Sequence, residues 1–475
     1  MPNTTNGILW SAIERFSVQG VSFLLGIVIT RLVTPGEYGL IAMLSIFMAI
    51  AQSFIDSGFG SALIQKKNRD ETDFSTVFYF NIVISAFLYG LLYLCSPLIA
   101  SLYNQPELTP VTRWIGLNLI FISLSIVQRT RLNIDLNFRM QAKLSLAAVM
   151  ISGVMGIIMA YSGLGVWALV FQSLSNHILS TIFLWIVTKW HPLLIFSVNS
   201  LKTLFAFGSK LLASGLLHTI YLNLYSLVIG KFYNATDVGF YNRAYTITQY
   251  PSTNIVTVIN RVMYPVQCSH QDDNLWLEKN FLTCLRMICF IVFPLMVLLA
   301  VIARPLVLLV LTEKWLSAAW LISILSIAYM WYPVMVVNNQ ILNVKGRSDL
   351  FLRAEIIKKI VAVAILCATL PFGIVWLCFG IFIYNVFDMI IIIWFAKKVI
   401  NTGYMSQLRT LLPLIIVTFI SGGTGLIAYV VTDNSYVQIT VAAALYILIY
   451  VTGCHMFKFN EFNRIKDILK IKHTR

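Results

Sequence analysis

The 475-residue sequence is 59% hydrophobic and 11% charged, with a mean hydropathy of +0.82. A soluble domain carries about 25% charged residues, so this composition excludes a soluble globular protein. A formal net charge of +15 would suggest nucleic-acid binding in a soluble chain, but here the positions of the charges point elsewhere.

Apolar runs of the length that crosses a bilayer, about 20 residues, recur along the whole chain. They predict an all-α membrane protein with about fourteen spans, and the start of the chain lacks the basic and small-residue features of a cleaved signal peptide. In chain order, the predicted spans are 8–31, 38–64, 76–102, 110–128, 144–162, 166–188, 208–230, 237–265, 281–303, 316–340, 354–370, 373–396, 409–431 and 436–457.

The distribution of Lys and Arg predicts the orientation in the membrane. Of these 34 residues, 26 lie in or near one set of alternate connections or in the C-terminal tail, four in or near the other set, and the last four elsewhere within spans. Cytoplasmic loops carry the excess of basic residues, so both termini are predicted to be cytoplasmic in a bacterial inner membrane. The net charge is then mainly an orientation signal at an anionic lipid surface, and no nucleic-acid partner is expected.

Short motifs recur at a nearly constant offset. RLVTPGEYG (31–39) and KFYNATDVG (231–239) share a basic residue, an acid and a glycine at an offset of 200. Ser-Pro-Leu at 96–98 and Arg-Pro-Leu at 304–306 match at an offset of 208. These matches predict a duplication, although short outer turns that simply favour Gly, Pro and an acid would look similar.

A duplicated six-helix unit returns the chain to the same side, so the two halves should have the same orientation. They would be related by a pseudo-two-fold axis along the membrane normal. The expected organisation is an N-terminal lobe (1–200), a C-terminal lobe (201–400), and a final helix pair with a basic tail (401–475) outside the repeat.

Charged residues at bilayer depth are functional candidates, because each costs about 3 kcal/mol even on lenient scales. Glu14 and Arg15 lie two turns into span 1, and Asp56 lies near the inner end of span 2. Arg15 and Asp56 could pair across the hairpin, either for transport or as a structural ion pair. Asp388 in span 12 serves either ion coupling or a helix–helix contact, so Glu14, Asp56 and Asp388 are the ion-coupling candidates.

Span 8 is too polar for a helix that faces lipid, because its polar groups need water or protein partners. Arg243, Gln249, Asn254 and Arg261 fall in it, so the segment either lines a wet cavity or lies at the interface. Asn223 in span 7, the neighbouring helix, joins these residues as a candidate for substrate binding. His177 in span 6 is interpreted as an ordinary hydrogen-bonded residue rather than a proton carrier.

The sequence shows no motif for catalysis. It contains no Walker A motif, and none of its seven cysteines forms a CxxC pair. The outer connections are too short for a catalytic domain. The sequence therefore predicts a protein that is not an enzyme and that uses no metal or cofactor.

Several stretches together resemble the Wzx-type polysaccharide exporters of the multidrug/oligosaccharidyl-lipid/polysaccharide superfamily, closest to the colanic-acid-exporter-like branch. Those stretches are RLVTPGEYGLIAM (31–43), DSGFGSALIQKK (56–67), RTRLNIDLNFRMQAK (129–143), GLGVWALV (163–170), GFYNRAYTI (239–247) and INRVMYPV (259–266).

The resemblance implies fourteen helices in two lobes with a V-shaped cavity between them. It implies that the protein turns an undecaprenyl-pyrophosphate-linked oligosaccharide from the cytoplasmic to the periplasmic leaflet by alternating access. Arg15, Arg243 and Arg261 fall on the helices that carry cavity cations in related flippases, and Arg suits phosphate oxygens. The implied partners are the lipid-linked oligosaccharide, membrane lipids, a polysaccharide polymerase and other export proteins.

Competing interpretations remain open at this point. A drug/cation antiporter of the same superfamily would favour an acidic cavity. A major-facilitator transporter would carry a basic Gly-x-x-x-Asp-Arg-type loop after span 2, where this chain reads QKKNRDETDF. A polysaccharide polymerase or membrane glycosyltransferase would need long outer loops or acidic motifs.

Overall fold

The computed structural model describes residues 4–56, 59–66, 68–135, 137–457, 459 and 461. Side chains are described throughout these ranges except at residues 4–16, 61, 65, 206–208, 210, 211, 213–215, 217, 218, 261 and 262. The side chains of Glu14, Arg15 and Arg261, which the sequence singles out, thus lie outside the described part of the chain.

Regular structure in the described residues is entirely helical. The α-helices are α1 (Thr4–Leu32), α2 (Pro35–Asp56), α3 (Phe59–Gln65), α4 (Glu71–Tyr103), α5 (Leu108–Gly116), α6 (Asn118–Ile134), α7 (Phe138–Tyr161), α8 (Val166–Thr188), α9 (Val198–Phe232), α10 (Ala235–Ser269), α11 (Asn274–Val310), α12 (Ser317–Tyr329), α13 (Tyr332–Val344), α14 (Ser348–Thr369), α15 (Ile374–Lys397), α16 (Tyr404–Gly425), α17 (Ala428–Val431) and α18 (Ser435–Met456).

Each predicted span overlaps one of these helices or two consecutive ones. Over the described residues, ten helical segments are long and apolar enough to cross a membrane. A multi-pass, all-helical membrane protein is therefore confirmed, while the count of fourteen spans stays a prediction.

The remaining predicted spans correspond to α1, α9, α10 and α14, which are the helices that carry most of the candidate polar residues. Arg243 lies on α10 and Asn223 on α9, for example. Charged and polar residues lower the mean hydropathy of a helix. A membrane-spanning helix that carries such residues can therefore be too polar to be recognised by its hydropathy alone.

Span 2 was predicted as one helix over 38–64. Helix α2 (Pro35–Asp56) covers its first part and helix α3 (Phe59–Gln65) covers its last part. Residues 57 and 58 lie outside the described part of the chain, so one continuous helix stays a prediction.

The chain divides into two compact units, Met1–Gly239 and Phe240–Arg475. In the first unit, α7 packs against α1 and α8, α2 packs against α9, and α6 packs against α4 and α8. In the second unit, α11 contacts α12, α13, α16 and α18, and α14 packs against α15. The expected lobe boundaries at 200 and 400 stay a prediction.

The repeated motif that begins at Arg31 and Lys231 starts a helix in both copies. Thr34 donates its backbone N–H and hydroxyl to the Glu37 carboxylate at 2.8 and 2.7 Å. At the equivalent turn, Asp237 donates its backbone N–H to the Asn234 side chain at 2.8 Å. A capping side chain and an acid three residues later stabilise a helix N-terminus, which explains why the acid recurs.

The glycine of the motif has a different role. A Cβ added to Gly39 would lie 1.7 Å from the carbonyl oxygen of Ala235, and one added to Gly239 would lie 2.0 Å from the carbonyl oxygen of Pro35. The two copies thus contact each other reciprocally, with partners that are themselves 200 residues apart. Such a reciprocal contact is what a two-fold relation would produce, and the pseudo-two-fold relation of the two halves stays a prediction.

Replacing Gly39 or Gly239 with alanine is expected to destabilise the protein by about 1–3 kcal/mol, because the new methyl group overlaps a backbone oxygen. The melting temperature of the purified full-length protein in detergent measures the effect. Gly90→Ala in α4 is the matched control, since nothing lies within 4 Å of its Cβ position and alanine favours helix. Equal melting temperatures for all three variants would contradict the close crossing.

Candidate functional site

A polar cavity of about 350 Å³ lies inside the first unit, between α2, α3, α6 and α8. Its lining combines one carboxylate, one guanidinium and one imidazole with amides and hydroxyls, in a helix bundle that spans a membrane. The lining residues are Gln52, Asp56, Gly60, Ile64, Ile122, Ser125, Ile126, Arg129, Thr130, Asn133, His177 and Ser180.

Asp56 and Arg129 are the two opposite charges of this cavity. Asp56 lies on α2 and Arg129 lies on α6. Both side chains are exposed to the cavity, and no ion pair within 4.0 Å joins them to each other or to another described residue. Their charges are consequently available to water or to a polar ligand.

Helix geometry explains how α6 brings Arg129 to the cavity. Ser125, Arg129 and Asn133 are four residues apart, so they lie on one face of the helix. Sequence reasoning missed this face because the predicted span ended at residue 128, whereas α6 continues to Ile134. The four-residue spacing of the polar side chains was the signal that could have found it.

Arg15 had been suggested as the partner of Asp56. The side chain of Arg15 lies outside the described part of the chain, so this pairing stays a prediction. The structure places Arg129, which the sequence had assigned to a cytoplasmic connection, in the same cavity as Asp56. His177 also lines it and is half-buried.

The polar residues predicted for spans 7 and 8 lie elsewhere. Arg243 is 3% exposed, Gln249 and Asn254 are half-buried on α10, and Asn223 on α9 donates its amide to the Thr219 carbonyl of its own helix at 2.9 Å. The cavity of the first unit is lined by none of these predicted residues. A wet surface on α10 stays a prediction.

A buried ion cluster joins α14 and α15 in the second unit. Lys358, 3% exposed, lies 3.2 Å from the Asp388 carboxylate and also pairs with Glu355 on its own helix. The Tyr384 hydroxyl donates to Asp388 at 3.3 Å. Asp388 therefore makes a helix–helix contact, one of the two roles that its sequence position left open.

Lys358 corrects the sequence interpretation. It had been counted with the basic residues of a cytoplasmic connection, although it falls four residues after the start of the predicted span 354–370. It lies ten residues into α14, about 15 Å from the start of that helix. A lysine that far inside a membrane helix is stable only when a carboxylate pairs with it.

The described His, Cys, Asp and Glu residues include no group of three that could hold a metal ion.

The sequence matches a protein family described as "Polysaccharide biosynthesis protein" over residues 28–320. Among curated relatives, it is 27% identical to the teichuronic acid biosynthesis protein TuaB of Bacillus subtilis (strain 168), over 74% of each chain. It is 24% identical to the lipopolysaccharide biosynthesis protein WzxC of Escherichia coli (strain K12), over 88% of this chain and 87% of the relative.

Solved structures share the fold. The lipid II flippase MurJ in an inward closed conformation superposes with a TM-score of 0.75 at 15% identity, covering 95% of this chain and 98% of MurJ. An inward-facing multidrug resistance transporter of the MATE family, in the MOP superfamily, gives 0.64 at 17% identity, covering 82% and 98%. The arrangement of helices is thus that of MurJ and MATE proteins.

Lys358→Met is expected to destabilise the protein by about 3–5 kcal/mol, because it leaves buried carboxylates without their cation. Adding Asp388→Asn should recover part of this loss, since it removes the uncompensated charge. Melting temperatures of the single and double variants measure the coupling. Lys359→Met is the matched control, because Lys359 is 39% exposed and 3.8 Å from Glu355, so its loss should matter little. Equal stability of the two single variants would refute the role of Lys358.

Proposed function

The chain belongs to the polysaccharide biosynthesis protein family, and on that basis we propose that it is a lipid-linked oligosaccharide flippase. It turns an undecaprenyl-pyrophosphate-linked repeat unit of a surface polysaccharide from the cytoplasmic to the periplasmic leaflet of a bacterial inner membrane. The polar, two-charge cavity inside the region that matches the family is the observation that carries the proposal.

The names of the relatives support this substrate class. They refer to teichuronic acid, lipopolysaccharide and, for a protein 21% identical over 99% of this chain, succinoglycan biosynthesis transport in Rhizobium meliloti (strain 1021). Related proteins that are named for three different glycans would recognise a chemical group that the three substrates have in common. A phosphorylated polyprenyl carrier is such a part.

The chemistry of the cavity fits the difficult step of flipping. A pyrophosphate loses its hydration on entering hydrocarbon, and this cost is large unless fixed donors replace the water. Arg129 offers a planar pair of N–H donors that matches phosphate oxygens, and Thr130 and Asn133 add uncharged donors beside it. The prenyl chain can stay in the surrounding lipid throughout.

The finer architecture belongs to the same proposal. Fourteen spans form two six-helix lobes and a final pair, with both termini in the cytoplasm, and the lobes alternate between inward- and outward-open states. Arg15, Arg243 and Arg261 meet the phosphate groups, together with Gln249, Asn254 and Asn223.

An ion gradient would drive the cycle through the candidate acids. Asp56 is exposed in its cavity and can exchange its proton or cation, whereas Asp388 is held by Lys358. Asp56 is therefore the preferred coupling group of the two, and Glu14 is the third candidate.

Asp56→Asn and Arg129→Gln are each expected to lower surface polysaccharide at least about ten-fold, because each removes a charged hydrogen-bonding group worth about 1.5–3 kcal/mol. Lectin or antibody binding to intact cells measures the glycan. The fraction of lipid-linked oligosaccharide that is reachable from the periplasm in spheroplasts locates the block.

Asp135→Asn and Arg139→Gln are the matched controls, since both residues are exposed near the same end of α6 and α7 but do not line the cavity. They should leave the glycan unchanged. Normal glycan in the cavity variants, together with lost drug resistance, would favour the antiporter interpretation instead.

Arg15→Ala and Arg243→Ala should insert into the membrane normally yet leave the lipid-linked glycan in the inner leaflet, because the phosphate groups lose a cation. Since Arg243 is buried, Arg243→Lys tests whether charge alone restores export. The readout is again spheroplast accessibility, at matched protein levels. Wild-type surface glycan in both alanine variants would refute these arginines as phosphate ligands.

A further inference from the structure

The last helices of the chain enclose a second cavity, of about 580 Å³, in the second unit. Helices α16 and α18 pack against α11. Leu426, which follows α16, and Tyr429 on α17 form one wall of the cavity, while α11, α12 and Leu316 form the other. The lining residues are Ala300, Val301, Arg304, Leu316, Ser317, Ala319, Trp320, Ser323, Leu426 and Tyr429.

The cavity lies where several helices end. Arg304 is six residues from the end of α11, about 9 Å along the axis, and Trp320 is three residues after the start of α12, about 5 Å. The Tyr429 hydroxyl donates to the Val301 carbonyl at 2.6 Å and closes one side. In the proposed orientation this is the outer end of the helices, at the level of lipid headgroups.

Arg304 is the only charged residue in the lining. Its side chain is exposed, and the described part of the chain contains no carboxylate within ion-pair distance of it. Ser317 lies in the same wall, while the Ser323 hydroxyl is already donated to the Ala300 carbonyl at 2.8 Å. The arrangement leaves one guanidinium, with its fork of N–H donors, facing an apolar pocket.

The surface around the opening is apolar. Trp320 is 73% exposed, Leu426 53% and Val430 88%. In a membrane protein, large apolar side chains with this exposure face acyl chains rather than water. Tryptophan at a helix end is also typical of the interface between headgroups and hydrocarbon. A molecule that enters this cavity therefore comes from the bilayer and has an apolar portion.

We propose that this cavity binds one phospholipid of the outer leaflet, with the phosphate on Arg304 and an acyl chain along Leu426. A phosphodiester carries a single negative charge, which one guanidinium matches in a bidentate contact. A polyprenyl pyrophosphate carries more charge than this single cation balances, so the flipped lipid is the poorer fit. The bound phospholipid would fasten the C-terminal helix pair to α11 and α12.

Native mass spectrometry of the delipidated full-length protein, titrated with phosphatidylglycerol, tests this assignment. The wild type should bind a first lipid with an affinity that Arg304→Ala lowers at least ten-fold. Lys314→Ala is the matched control, because Lys314 is an exposed cation near the same end that does not line the cavity, and it should bind like the wild type. Unchanged affinity in Arg304→Ala would overturn the proposal.

Two further measurements test whether the lipid binds in this cavity and whether it is a phospholipid. Ala300→Phe narrows the cavity while it keeps Arg304, so it too should weaken binding of the first lipid. Wild-type affinity in this variant would contradict binding in the cavity.

The second measurement titrates the same protein with undecaprenyl phosphate and with undecaprenyl pyrophosphate. Binding of either prenyl lipid that is tighter than that of phosphatidylglycerol and that Arg304→Ala weakens would overturn the choice of phospholipid, whereas prenyl-lipid binding that Arg304→Ala leaves unchanged belongs to another site. Such a result would leave the proposed flippase function, which is measured by surface glycan, unaffected.

Discussion

A charge inside hydrocarbon must be paired or hydrated, and this requirement organises the polar interior of the protein. The second unit pairs its charges: Lys358 is buried at mid-helix against Asp388 and Glu355. The first unit leaves Asp56 and Arg129 without a described ion pair, in a cavity lined with amides and hydroxyls. One arrangement locks two helices together, while the other keeps charge available for a ligand.

Close approach of helix backbones is a second constraint, and glycine satisfies it. At the crossing of the repeated motifs, Gly39 and Gly239 lie against carbonyl oxygens of the opposite copy, where any side chain would overlap. The same turns carry the capping pairs Thr34–Glu37 and Asn234–Asp237. Each motif therefore combines a signal that starts a helix with a glycine that lets this helix cross its counterpart. A transporter that alternates between states benefits from such a contact, since it involves backbone alone and can reform without repacking of side chains.

The C-terminal helices add what the predicted repeat does not contain. By packing on α11 they create a cavity with one cation, Arg304, near the proposed outer surface. The polar cavity of the first unit lies along α6 and against the middle of α8. One site with opposite charges and one site with a lone guanidinium suit different tasks, the handling of substrate and the retention of a structural lipid.

The sequence by itself determined the helical, multi-pass fold, because backbone groups in a bilayer must be satisfied within each helix and apolar runs of span length are readable from one chain. It also determined the motif around Gly39 and Gly239 and the family, and it singled out Asp56, which the structure places in the polar cavity. Only the tertiary structure decided which charges meet. Arg129 looked like a loop residue, since the predicted span ended at residue 128, whereas helix α6 continues to Ile134. Lys358 was counted with a basic connection, whereas it lies ten residues into α14 beside Asp388. Whether such a charge is tolerated depends on the opposite side chain that packing supplies, and that partner is distant in the sequence.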